Sequence, residues 1–171
     1  FTATQINPVY PDIEKQTNNI AKDKLRVAGE LGLLGAHIPE EYGGMPMDTN
    51  TNTIITEEIG FTGSFSVSVA AHTGIGMLPI FYYGSEAQKK KYLPGLCSGE
   101  LAASYCLTEP GSGSDALAAK TKAILSDDGE HYLITGQKMW ITNAGFADVF
   151  IVFAQVDGDK FTGFLVEAGA E

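Results

Sequence analysis

Thr108, Glu109, Ser112, Ser114 and Asp115 follow one another around Gly111 and Gly113 in the run 105–115 (YCLTEPGSGSD), the densest cluster of ligand-capable groups in the sequence. A loop of this make-up exposes backbone N–H groups and hydroxyls, donors that bind a phosphate or another polar edge with little reorganisation. The same composition also makes an ordinary turn between strands, so the loop alone leaves both readings open. Its glycine spacing fits neither a Walker loop nor a dinucleotide fingerprint, and nothing in it favours nicotinamide binding. A second run, 136–145 (GQKMWITNAG), places the sole tryptophan, Trp140, two residues before Thr142. On a strand these two share a face. A planar indole beside a hydroxyl suits a planar aromatic cofactor, the ring supplying area and the hydroxyl reaching a ring nitrogen, although a tryptophan also serves simply to fill a core. His72 is an acid–base candidate by residue type. Alone in an apolar stretch of small residues, it reads more readily as structural.

Two kinds of element must position these runs. Between 11 and 34, Ile13, Ile20, Leu25, Val27 and Leu31 recur at loosely helical spacing and predict a pair of helices. Residues 35–48, with two prolines and adjacent Gly43 and Gly44, predict a long loop. Asn50 and Asn52, with Thr51 and Thr53, offer capping oxygens to a helix over 54–59. The apolar, small-residue stretch 64–83 predicts a buried helix, and Ser85 opens a short amphipathic helix that Gly99 stops. Beyond it come short β-branched and aromatic runs at 101–107, 120–125, 131–134, 138–142, 149–156 and 161–166. The turn formers 127–129 and 157–159 stand between them. The fold class is therefore α+β: an amino-terminal all-α domain over 1–100, then an antiparallel, barrel-like β domain begun over 101–171 and incomplete in this chain.

Composition narrows the function further. The net charge of -10 is spread over both halves, and no basic stripe exists to neutralise phosphates along a nucleic acid. The lysines at 89, 90 and 91 read as a solvated helix face. Cys97 and Cys106 lie too far apart for a metal or redox CxxC pair, and no metal site is expected. No uninterrupted apolar stretch approaches the roughly 18 residues of a membrane span, and no signal-peptide pattern opens the chain. A soluble, intracellular protein is the expectation. The sequence starts at Phe1 and stops shortly after Gly169 in an unfinished succession of strands and loops, so it reads as cut at both ends.

Taken together, the two runs resemble the acyl-CoA dehydrogenase family. Cys106, Leu107, Thr108 and Glu109, then Ser112, Gly113, Ser114, Asp115 and Ala118, match that family's first signature. The likeness continues through 31–44 (LGLLGAHIPEEYGG), 83–99 (YGSEAQKKKYLPGLCSG) and 136–154 (GQKMWITNAGFADVFIVFA), with wording closest to the long- and very-long-chain branch. The resemblance implies FAD as cofactor. It implies that Thr108 hydrogen-bonds the pyrimidine side of the flavin, with Tyr105 and Leu107 in the same wall. Gly113 and Ser114 would approach the pyrophosphate, Ser114 also standing near the CoA thioester arm as the substrate-binding residue. Trp140 would lie against the flavin on the side away from substrate, Ile141 beside it, and Thr142 would donate to the reactive central nitrogen.

The reaction so implied is α,β-dehydrogenation of a fatty acyl-CoA in β-oxidation, a carboxylate taking the α-proton while the β-hydride passes to the flavin. The resemblance places that base on a glutamate of a later helical domain, so no catalytic residue is expected within 1–171 and the segment alone is expected to be inactive. It also implies electron-transfer flavoprotein as acceptor and a homo-oligomeric full-length enzyme, cytoplasmic in a bacterium or in the mitochondrial matrix of a eukaryote. An acyl-CoA oxidase-like or nitroalkane oxidase-like flavoenzyme, or a non-catalytic binding protein on the same scaffold, are the competing readings.

Overall fold

Ser85 shows how local sequence sets the helical half. Its hydroxyl accepts the Gln88 N–H at 3.3 Å while the Gln88 side chain accepts the Ser85 N–H at 2.8 Å, a capping box that starts α6 (Glu86–Ser98). Gly99, at φ 75°, ends that helix in the left-handed conformation that only glycine takes freely. These details come from a computed structural model, which describes residues 1–158 and 160–170, the side chain of Asn18 excepted. Asp48 caps α3 (Thr49–Gly60), its carboxylate accepting the Thr51 N–H at 2.9 Å. The helix thus begins ahead of residue 54, and neither Asn50 nor Asn52 is its cap. Asn52 instead turns inward and donates to the carbonyls of Ala36, Met47 and Asp48. Two helices, α1 (Tyr10–Glu14) and α2 (Ile20–Glu30), precede the loop, which holds only a short 3-10 turn at Glu40–Tyr42.

The stretch 64–83 is one continuous helical run: α4 (Ser64–Ala70), a π-helical segment (Ala71–Met77) and α5 (Leu78–Tyr83). Against the sequence expectation, its length and composition would suffice to cross a membrane. One face of it packs into the core. Phe65 sits in a cluster with Ile6, Leu25, Ala28 and Leu34, whereas Met77 and Ile80 join Leu93 and Leu96 of α6 in a second cluster that continues into the sheet through Ala103 and Val149.

That sheet has five described strands: β1 (Ala103–Cys106), β2 (Lys122–Leu125), β3 (Tyr132–Thr135), β4 (Val149–Val156) and β5 (Lys160–Glu167). β5 runs antiparallel along the whole of β4, and β3 runs antiparallel to β2. The other two pairings correct the antiparallel expectation, because β1 and β2 both run parallel to β4 and the sheet is mixed. They lie end to end along one edge of β4, β1 opposite Val149 to Val152 and β2 opposite Gln155 and Val156. Hairpin turns announce only the local, antiparallel neighbours. Of the turn 157–159, Asp159 lies outside the described residues. A second correction concerns 138–142, which forms no strand: Trp140 takes φ 57°, a conformation that breaks any ladder. The sheet is open, without barrel closure among the described residues.

Candidate functional site

Between Cys106 and Lys122 the β4 edge is left by a long detour, the loop 107–121, while β4 itself advances only from Val152 to Gln155. Glu109 closes the root of this detour. Its buried carboxylate accepts the backbone N–H of Lys120 at 2.6 Å and of Thr121 at 2.9 Å, together with the Thr121 hydroxyl. Lys138, from the second run, donates to the same carboxylate at 2.9 Å and to the Leu107 carbonyl at 3.1 Å. Next to it, the Met139 N–H donates to the Thr108 carbonyl at 3.0 Å. The two runs singled out in the sequence are therefore clasped by an ion pair and a backbone bond. Burial alone would raise the Glu109 carboxyl, but the donors from Thr121, Lys120 and Lys138 outweigh it and hold the group at about 2. A carboxylate so low and so fully engaged is a weak proton acceptor near neutral pH.

Leu107 and Thr108 stand half-buried beside this clasp. Trp140, directly after Met139, is 84% exposed, so it fills no core of this chain and presents its indole outward from a strained backbone. Ile141 and Thr142 follow, half-buried, and they line a cleft of about 590 Å³. The opposite wall of the cleft comes from the helical half: Ser64, Val67 and Ser68 of α4, with Gln16, Asn19 and Ile20. The sequence reading missed this wall, although the small residues of 64–83 were a signal that something approaches closely. Tyr105 departs from the expected grouping. Its ring packs 4.9 Å from Phe153, and strand alternation puts it on the face of β1 opposite to Ser104, whose hydroxyl donates to the Thr142 carbonyl at 2.8 Å. Gly113 and Ser114 stand exposed at the tip of the detour, where a Cβ on Gly113 would meet nothing within 4 Å. His72 is fully buried with both ring nitrogens engaged, and burial lowers it to about 4 despite the bond to the Leu96 carbonyl.

Comparison with known proteins gives the family. The family model for the acyl-CoA dehydrogenase N-terminal domain matches residues 1–100, and that for the middle domain matches 104–171. The chain belongs to the acyl-CoA dehydrogenase family. Among relatives in this family, a probable acyl-CoA dehydrogenase of Bacillus subtilis (strain 168) is 60% identical over 167 residues, covering 98% of this chain and 28% of that protein. The human mitochondrial very long-chain specific acyl-CoA dehydrogenase is 41% identical over 187 residues, covering 99% and 28%. Of solved structures, the acyl-CoA dehydrogenase complexed with FAD from Bacillus anthracis superposes with a TM-score of 0.96 at 50% identity, covering 98% of this chain and 29% of that one. A glutaryl-CoA dehydrogenase from Mycobacterium smegmatis gives 0.89 at 32%, covering 98% and 42%. The chain thus spans about 28% of the length of the curated relatives it matches.

Proposed function

We propose that the protein carrying this chain is an FAD-dependent dehydrogenase that introduces an α,β double bond into fatty acyl-CoA thioesters and passes the electrons to an electron-transfer flavoprotein. The observation that carries the proposal is the clasp. The Glu109–Lys138 pair and the Met139–Thr108 bond bring Thr108 alongside the segment of Trp140, Ile141 and Thr142, which borders the cleft. An exposed indole on strained backbone, next to half-buried hydroxyls, fits the face and edge of a flavin.

Bound FAD supplies the acceptor for the β-hydride. The residues of this chain bind and orient. Trp140 offers a ring face, and Leu107 contributes apolar wall with Ile141 beside it. Thr108 and Thr142 donate hydroxyl hydrogen bonds to the ring edge. Gly113 and Ser114, at the open tip, reach the pyrophosphate, and Ser114 also the CoA arm. Tyr105 contributes through the strand that starts this wall, its ring turned toward Phe153. Among the described residues no Asp or Glu lines the cleft, and Glu109 is committed to four donors. We place the proton acceptor in a part of the protein outside 1–171. We place the domains at 1–100 and 101–171, the full-length enzyme as a homo-oligomer, and its site of action inside the cell: the cytoplasm if bacterial, the mitochondrial matrix if eukaryotic.

The deciding experiment is the visible spectrum of the full-length protein before and after anaerobic addition of a long-chain acyl-CoA. A flavin spectrum bleached by the thioester supports the proposal. A colourless protein that takes up no FAD refutes it.

A further inference from the structure

Ala103, the first residue of β1, is held at both of its backbone polar groups by side chains from outside the sheet. Its N–H donates to Nδ1 of His72 at 3.1 Å, and its carbonyl accepts the Asn143 amide at 3.2 Å. With Nδ1 accepting, the His72 ring is the neutral tautomer protonated at Nε2, which faces the Leu96 carbonyl at 2.9 Å. Asn143 donates a second time, to the Ser68 carbonyl at 3.0 Å. One residue along β1, the Ser104 hydroxyl bonds the Thr142 carbonyl at 2.8 Å. His72, Ala103 and Ser104 are all at 0% exposure. The helix and strand are pressed together here, since a Cβ on Gly76 would come within 2.7 Å of the Ala103 Cβ. The 64–83 helix, the start of β1 and the turn at 142–143 therefore meet around one residue, Ala103, and His72 ties the end of α6 to them through Leu96.

Two features make this junction costly to keep. Asn143 is a non-glycine residue at φ 67°, and its Oδ1 is buried with no partner among the described residues. Costs of this kind persist where the surroundings hold a segment in place for function. We propose that His72 and Asn143 are positioning residues. Acting through Ala103 and Ser104, they fix where Thr142 stands on the wall of the cleft, so that the helical half sets how Thr142 meets the cofactor. This inference rests on the flavin reading above.

The test uses the full-length protein with FAD and an acyl-CoA. Asn143→Gly keeps the left-handed backbone and deletes the carboxamide, Ser104→Ala deletes only the bond to Thr142, and His72→Phe fills the space without hydrogen bonds. Expected is a shifted visible flavin band in each variant. The rate of flavin reduction per bound flavin should fall by about 10- to 100-fold in Asn143→Gly and His72→Phe, the scale of a small misplacement at a reacting centre, and less in Ser104→Ala. His72→Gln, which can still span Leu96 and Ala103, should recover part of the rate. A purely structural role would lower the thermal midpoint and the flavin content while leaving the rate per bound flavin and the band position unchanged. That result in both Asn143→Gly and Ser104→Ala overturns the inference and leaves the flavin reading intact. A wild-type protein that holds no flavin overturns both.

Discussion

Glu109→Gln probes the clasp on which the site depends. The carboxylate takes the N–H groups of Lys120 and Thr121, the Thr121 hydroxyl and the Lys138 ammonium, and the side chains of Glu109 and Lys138 are 6% and 11% exposed. Glutamine keeps one acceptor oxygen and turns the other position into a donor that faces donors, while Lys138 stays charged without a counter-charge. Breaking one side of a buried pair costs about 3–5 kcal/mol. The carboxyl's descent from 4.5 to about 2 leads to the same scale, ~3 kcal/mol at 1.36 kcal/mol per pKa unit. A folded pKa below the unfolded one means that this stability is complete above about 4.5 and is lost as pH falls toward about 2. Urea unfolding of the full-length protein, followed by circular dichroism, should show the variant about 3–5 kcal/mol less stable near neutral pH. The gap should narrow with acid, because wild type loses what the variant never had. In Glu109→Gln/Lys138→Met the loss should be smaller than the sum of the single losses by well over the ~0.5 kcal/mol that independent sites allow. Additive losses, or a gap that stays constant down to about pH 3, would refute the coupling.

Trp140→Ala removes a side chain that is 84% exposed, so the thermal midpoint of the apoprotein should not move while FAD content drops; equal FAD content in variant and wild type would count against the flavin wall. Thr142→Ala should leave less FAD bound and alter the flavin band, and an unchanged spectrum would count equally against it. Burial lowers His72 from 6.5 to about 4, a folded pKa below the unfolded one, so stability should decline as pH falls from about 6.5 toward about 4, a slope that His72→Gln lacks when thermal midpoints are compared across that window. Residues 1–171 alone, assayed with acyl-CoA, added FAD and a dye acceptor, should show weak FAD binding and no turnover, because no carboxylate lines the cleft among the described residues; turnover would place a base within the segment.

What could be read from the sequence was local. The helix start at Ser85, the stop at Gly99 and the strand at 149–156 each depend on residues within a few positions of one another, and each stands where the sequence put it. The parallel placement of β1 and β2 on β4 depends on partners dozens of residues apart, for which no turn residue gives notice. Trp140 failed as a strand residue for a related reason. Its β-forming neighbours Ile141 and Thr142 argue for extension, but the bond of Met139 to Thr108 and the anchoring of Asn143 to Ser68 and Ala103 force the backbone between them through a left-handed step. The site motifs were visible as residues, whereas the α4 wall of the cleft and the roles of Lys138 and His72 depend on side chains meeting across the fold.

The detour 107–121 also explains how a glycine-rich loop can be both ordered and open. Its ends are pinned along β4 by the span from Val152 to Gln155, about 10 Å at the usual rise of a strand. Closing so many residues over so short a gap has an entropic cost, offset mainly at the root, where Glu109 near the outgoing end grips Lys120 and Thr121 at the returning end. Ser112 adds one internal tie by bonding the Asp115 carbonyl at 2.7 Å, and the Glu109–Ser112 bridge turns the chain over. Gly111 and Gly113 then face space in which an added Cβ would touch nothing within 4 Å. Neither glycine has a positive φ, so within this chain neither backbone strain nor a protein neighbour requires its lack of a side chain. A side chain at either position would meet only what comes to the tip from outside these residues, and on the function proposed above that is the pyrophosphate.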